Sequence, residues 1–188
     1  MVSDEEDHLG GHMNIAVYLA SKSGNLPHII EQTQLLGAWI GKNHHALVYG
    51  GSNTGLMYTI ARSTKGHGGK VIGIEMSKFH NEGCSFSECD EFVVTETLSE
   101  RKEKMMKLSD AFIALPGGIG TLDEISEIMA VDKIGGHHRP IILMNIDGFY
   151  DDLKHQLEKM VSYGYLLEEE KNRIHFVEDV DELNVLFQ

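Results

Sequence analysis

Short apolar runs alternate along the chain with longer stretches whose apolar residues recur every three or four positions. The runs Asn14–Leu19, Ala46–Tyr49, Lys70–Glu75, Phe92–Val94, Ala111–Leu115, Pro140–Met144 and Ile174–Val177 are the right length for buried strands. Between them the spacing turns helical. One helix follows Pro27, carries Ile29, Ile30, Leu36, Trp39 and Ile40, and ends near Gly41. Others run from Leu56 to Thr64, Leu98 to Leu108, Phe149 to about Val161, and Val180 to about Leu186. After Thr121, Leu122, Ile125, Ile128 and Met129 mark one more. Ser77 to Asp90 reads as a polar loop, longer than most connections and therefore a candidate functional segment. This alternation predicts a doubly wound, Rossmann-like α/β fold: a mostly parallel sheet with helices on both faces. No linker interrupts it, so residues 13–188 read as one domain.

Composition narrows the picture without changing it. The chain has 188 residues, 41% hydrophobic and 24% charged, ordinary for a soluble globular domain. No run approaches the ~20 apolar residues that span a membrane. The start is acidic and polar, unlike a signal peptide, which places the protein in the cytoplasm. Sixteen basic against 29 acidic residues give a net charge of -13. That balance argues against a nucleic-acid partner, and any phosphate must be held by local donors against the overall field. Cys84 and Cys89 read as reduced thiols, with too few ligands nearby for zinc. The pairs His44-His45 and His137-His138 read as solvated turn residues. Residues 1–12 read as a tail or a foreign remnant of expression, with Met13 as a plausible native start. Val185 to Gln188 resembles the end of a protease-cleavage tag, and reads equally as the last turn of a helix.

Candidate chemistry concentrates between Ala111 and Glu124. The apolar run is stopped by Pro116, and Gly117, Gly118 and Gly120 follow before the helical spacing starts. Glycines let a ligand approach the backbone. The amides of that turn, with the positive end of a helix dipole behind them, make an anion site best suited to phosphate. Packing alone would also explain the glycines. A second pair, Gly50-Gly51, ends an earlier strand, so two glycine loops can face one crevice. Neither loop is a Walker motif, and G-x-G-x-x-G is only half met. That counts against a kinase, an ATPase and a dinucleotide enzyme.

Two side chains add a reaction class. Arg101 falls on the apolar stripe formed by Leu98, Met105 and Leu108, so it needs a buried carboxylate or an anion, unless it snorkels at the edge. Lys102 beside it could share the anion. Glu124 lies one helical turn into the next helix, on the side of Thr121. It is either a carboxylate over the phosphate cradle or a first-turn acid that complements the dipole. Cradle, carboxylate and arginine suit cleavage of an N-glycosidic bond, which passes through an oxocarbenium-like state. The dipole and the arginine predict an ionised Glu124 that stabilises the cation and orients or deprotonates water.

These residues resemble a known family. Pro116-Gly-Gly-Ile-Gly-Thr-Leu-Asp-Glu124 is similar to the PGGxGTxxE motif of the LOG (Lonely Guy) family, the cytokinin riboside 5′-monophosphate phosphoribohydrolases. Tyr49-Gly-Gly-Ser-Asn-Thr-Gly-Leu-Met57 resembles its YGGGxxGLMG loop, and Glu100-Arg-Lys-Glu-Lys-Met105 its RKxxM helix. The likeness runs from Met13 to about Asn184. It implies hydrolysis of N6-substituted AMP to free base and ribose 5-phosphate, in cytokinin biosynthesis, with no metal or organic cofactor. It implies that Arg101 and Glu124 are the catalytic pair. It implies that Glu82, Lys102, Gly50, Gly51 and the loop Gly117, Gly118, Ile119, Gly120, Thr121, Leu122 and Asp123 hold the nucleotide. It also implies a homodimer with sites near the interface. Ala20, Ser52 and Glu75-Met76 depart from the family pattern around the base pocket, which leaves the N6 substituent open and admits plain AMP. The alternative is a non-catalytic nucleotide or cofactor carrier, which needs the glycines but not Glu124. A lysine decarboxylase, a label often attached to this family, would need a lysine set for pyridoxal phosphate, and none is recognisable.

Overall fold

The computed structural model describes residues 11–187. Residues 1–10 of the expected tail, and Gln188 of the tag-like end, lie outside them. The alternation read from the chain becomes one sheet of seven parallel strands: β1 (Asn14–Tyr18), β2 (Ala46–Tyr49), β3 (Lys70–Met76), β4 (Glu91–Thr95), β5 (Ala111–Ala114), β6 (Ile141–Met144) and β7 (Ile174–Val177). Their order is β4-β3-β2-β1-β5-β6-β7. The central strand β1 pairs with β2 through Ile15 and Leu47, and with β5 through Ile15 and Ala111. Successive side chains of a strand leave on opposite faces. In β5, Ile113 therefore joins one core layer, and Phe112 and Ala114 the other.

Helices cover both layers, as a parallel sheet requires. Leu36, Trp39 and Ile40 of α1 (Ile29–Lys42) and Leu56, Ile60 and Ala61 of α2 (Gly55–Gly66) cover the Ile113 face. The short α3 (Ser77–Asn81) lies beside β3 and β4. Met105 of α4 (Leu98–Leu108) and Ile125 and Ile128 of α5 (Ile119–Lys133) cover the Phe112 face. Leu153 of α6 (Asp151–Ser162) packs on that side too. The short α7 (Glu168–Asn172) adjoins β7, and Leu183 of α8 (Val180–Leu186) returns to the first face. From β1 the chain winds one way through β2 and the other way through β5. Ligands of such sheets bind outside the carboxyl ends of the strands at that switch point.

Several sequence expectations are corrected. The Ser77–Asp90 loop contains α3, and α7 has no counterpart in the sequence reading. Each has five residues and no buried side chain, so neither writes an apolar stripe. A 3-10 turn at Ile146–Gly148 delays the sixth helix to Asp151. Helix α5 starts at Ile119, two residues before Thr121, because Gly118 supplies an extended cap. Among the described residues, no helix is long and apolar enough to cross a membrane.

The histidine pairs are not uniformly solvated either. His45 is 7% exposed and packs against Trp39, its Nδ1 accepting the Met13 amide at 3.3 Å. His137 is buried against Phe112, with ring centroids 5.2 Å apart. Burial pushes both imidazoles below the ordinary value of 6.5, helped at His137 by the charge of Arg139. A base whose folded pKa is depressed is protonated more readily in the unfolded chain. Folding stability therefore falls as pH drops through 6.5. Urea denaturation between pH 7.5 and 5 should show that decline, and a double variant His45→Gln, His137→Gln should flatten it. An unchanged slope would assign the pH dependence to other groups.

Candidate active site

A cavity of about 820 Å³ opens at the carboxyl edge of the sheet. Its walls include Gly50, Ser52 and Thr54 from the loop after β2, and Pro116, Gly117, Gly118 and Gly120 from the loop after β5. The two glycine loops thus face one crevice.

The arginine comes from a helix with a fixed start. Thr97 caps α4 by accepting the Glu100 amide at 3.1 Å, while the Glu100 carboxylate accepts the Thr97 amide at 3.3 Å. This reciprocal pair is a capping box. One turn on, the Arg101 side chain reaches over the sheet edge. Its Nε donates to the Ile74 carbonyl at 2.9 Å, and its Nη1 donates to Glu124 Oε1 at 2.5 Å. Both side chains are about nine-tenths buried. Room for the guanidinium depends on glycine: a Cβ at Gly50 would come within 2.5 Å of Arg101 Nη2.

The carboxylate comes from the second turn of α5. Gly118 caps this helix without a side-chain bond, no acid occupies its first turn, and the Leu122 amide, bonded to the Gly118 carbonyl, is its first internal donor. The amides of Ile119, Gly120 and Thr121 are the orphan donors every helix start leaves. They stand at the positive end of the dipole beside the cavity, an arrangement suited to a phosphate. Gly117 lets the loop turn tightly, since a Cβ there would meet Thr121 Oγ1 at 2.2 Å.

The electrostatics differ from the expectation for Glu124. Burial pushes its carboxyl above the ordinary glutamate value of 4.5, and the charge and hydrogen bond of Arg101 oppose that rise without cancelling it. The helix dipole and arginine favour ionisation as expected, but desolvation outweighs them. A carboxylate shifted upward is a stronger base once ionised.

The other sequence candidates divide. Glu82, Thr121 and Asp123 line the cavity with Gly50, Gly117, Gly118 and Gly120. Ile119 is 82% exposed and Leu122 is also exposed, and neither lines the cavity. Lys102 is paired with two carboxylates of α5. Its ammonium sits between Glu127 Oε2 at 2.6 Å and Asp123 Oδ2 at 2.9 Å, and these partners raise its pKa. Gly51 takes the left-handed φ of +80° behind the wall. The sequence reading gave no site role to Leu26, Thr54, Phe79 or Phe149, all of which line the cavity; Glu75 lines it too, and was noted only as a departure from the family pattern around the base pocket. For Glu75 a signal was present: a charge at the end of an otherwise apolar strand.

The family model described as "Possible lysine decarboxylase" matches residues 57–186. A protein of Oryza sativa subsp. japonica called probable cytokinin riboside 5′-monophosphate phosphoribohydrolase LOG4 is 35% identical over 169 residues, 90% of this chain and 74% of that one. The cytokinin riboside 5′-monophosphate phosphoribohydrolase of Mycobacterium marinum is 31% identical over 172 residues, 92% of this chain and 91% of its own. Among solved structures, the molybdenum cofactor binding protein of Rippkaea orientalis superposes with a TM-score of 0.69 at 22% identity, covering 95% of this chain and 99% of that one. The Moco carrier protein of Chlamydomonas reinhardtii gives 0.69 at 19% identity, over 94% and 95%. At these identities the two structures share the fold.

Proposed function

The chain belongs to the LOG family of cytokinin riboside 5′-monophosphate phosphoribohydrolases, and on that premise we propose that it hydrolyses adenosine 5′-monophosphate, plain or N6-substituted, to free base and ribose 5-phosphate. The observation that carries this reading is the ion pair of Arg101 and Glu124, buried in the same cavity as the open start of α5. The start of α5 holds the 5′-phosphate through the amides of Ile119, Gly120 and Thr121. Glu124 faces the anomeric carbon. As the bond from C1′ to the base nitrogen stretches, its electron pair leaves with the base, and the carboxylate stabilises the cation left on the sugar. Water adds to C1′ and gives its proton to Glu124, which returns to the carboxylate as that proton passes to the departed base nitrogen, leaving neutral base and ribose 5-phosphate. Arg101 keeps the carboxylate aimed and ionised, and the Ile74 carbonyl keeps Arg101 in place.

Two other readings draw on particular features. Pyridoxal phosphate, implied by the family model's description, would need a lysine amine free in the cavity. Among the described residues Lys22 is the one lysine on its wall, on an exposed loop, and Lys102 is held by two carboxylates. That donor set does not fit the cofactor. A carrier would use the same cradle, but would have no need of the ion pair.

Chromatography of products after incubation with AMP and with N6-isopentenyl-AMP separates these readings. The wild type should release free base and ribose 5-phosphate, and Glu124→Gln should lower the rate by about 10²- to 10⁴-fold. Nucleotide binding without products would transfer the assignment to a carrier. The acid limb of kcat/KM should lie above pH 4.5, since a base with a raised pKa is neutralised at higher pH as the solution is acidified. A limb at or below that value would remove Glu124 from the base role.

We also infer a homodimer acting in the cytoplasm. The side chains of Ile119 and Leu122 on α5, of Leu98 on α4 and of Phe149 support the dimer, since they are large, apolar and exposed. Light scattering after size-exclusion chromatography should give twice the chain mass of 21.0 kDa. A single-chain mass would overturn the dimer.

A further inference from the structure

Glu75 is a buried carboxylate that the proposed reaction leaves without a task. It is the penultimate residue of β3, is 2% exposed, and lines the cavity. Ser85 donates its hydroxyl to Oε2 at 2.5 Å. That proton is then committed, so the contact of His80 Nδ1 with Ser85 Oγ at 2.9 Å must be donated by the imidazole. Ser85 is itself pinned: it bridges to Ser52, and the Phe86 amide donates to the Gly51 carbonyl at 2.8 Å. The other oxygen of Glu75 accepts no hydrogen bond from any described residue. That oxygen is not sealed inside the protein but belongs to a residue of the cavity wall, within reach of a ligand. A donor arriving with the ligand would satisfy it.

The sheet says which part of a ligand arrives there. The phosphate cradle follows β5, and Glu75 is the penultimate residue of β3, three strand spacings away, or roughly 14 Å. Arg101 lies between them, against Gly50 and the Ile74 carbonyl. The span is comparable with that of an extended nucleoside monophosphate whose scissile bond sits at the Arg101–Glu124 pair. Its base end then meets the β3 wall.

We propose that Glu75, held by Ser85 and His80, is a subsite for an exocyclic amino group, and makes this protein select nucleotides whose base carries an amino group in place of a carbonyl at that position. The inference rests on the reading of the cavity as a nucleoside monophosphate site. An unsubstituted amino group offers two donors, whereas an isopentenyl group replaces one of them with apolar bulk. A carbonyl at the same position offers none and sets oxygen against oxygen.

The test compares AMP, inosine 5′-monophosphate and N6-isopentenyl-AMP with wild type, Glu75→Ile and Glu75→Gln, by kcat/KM and by calorimetric binding. Wild type should prefer AMP to the inosine nucleotide by about 10- to 100-fold. Glu75→Ile should cut the preference for AMP over the isopentenyl nucleotide by about tenfold or more. Glu75→Gln keeps the shape, and its amide can donate to the inosine carbonyl, so it should narrow or reverse the first ratio even if the isoleucine variant fails to fold. Ratios within about twofold of wild type in folded variants would overturn the proposal. If no nucleotide is hydrolysed by wild type, the hydrolase reading fails, and the binding ratios still decide the role of Glu75.

Discussion

The buried ion pair between Arg101 and Glu124 is the constraint around which the site is arranged. Taking two charges out of water is expensive, and their attraction offsets that cost only with good geometry and satisfied donors. Here the guanidinium also donates to the Ile74 carbonyl, a group that the end of β3 leaves available. Removing either partner would strand the other charge, at about 3–5 kcal/mol. Other features serve the same contact: glycine at position 50 gives room, the Thr97 cap fixes the start of α4, and the short loop after β5 sets α5 alongside. The pair joins two residues 23 positions apart, one on each of two successive helices, on one face of the sheet at its switch point. The conditions that make it costly also make it useful, since a dry, oriented carboxylate acts on a developing cation more strongly than a solvated one.

Much of this was legible in the chain. Uncharged apolar runs mark central strands because a parallel sheet is buried on both faces, and β2, β5 and β6 fall where those runs lie. Arg101 declared itself by sitting on an apolar stripe, which implies a partner, and the partner is Glu124. The glycine turn before α5 was legible because proline and three glycines have few uses at a strand end, and it lines the cavity. What escaped the sequence were balances of opposed effects. The helix start and Arg101 argued for a low Glu124 pKa, and only the depth of burial decides that it is raised. His45 looked solvated in a polar turn until the packing of Trp39 closed over it. Lys102 could be placed beside Arg101 by number, but its direction depended on Asp123 and Glu127 on another helix.

The acidic balance of the chain fits this design. With a net charge of -13, an anionic substrate meets an unfavourable global field, so binding rests on oriented backbone amides and not on a basic patch. The nearby lysine is neutralised by its own carboxylates. On the reading proposed here, selectivity is left to the far wall, where Glu75 presents an acceptor.

The central claim is that Arg101 and Glu124 act as one unit on the glycosidic bond. A double-mutant cycle on kcat/KM with AMP, using Arg101→Gln, Glu124→Gln and the double variant, tests it most directly. The account predicts strong non-additivity: the double variant should lose little more activity than the worse single one. Losses that simply add would mean that the two residues act independently, and would contradict the account.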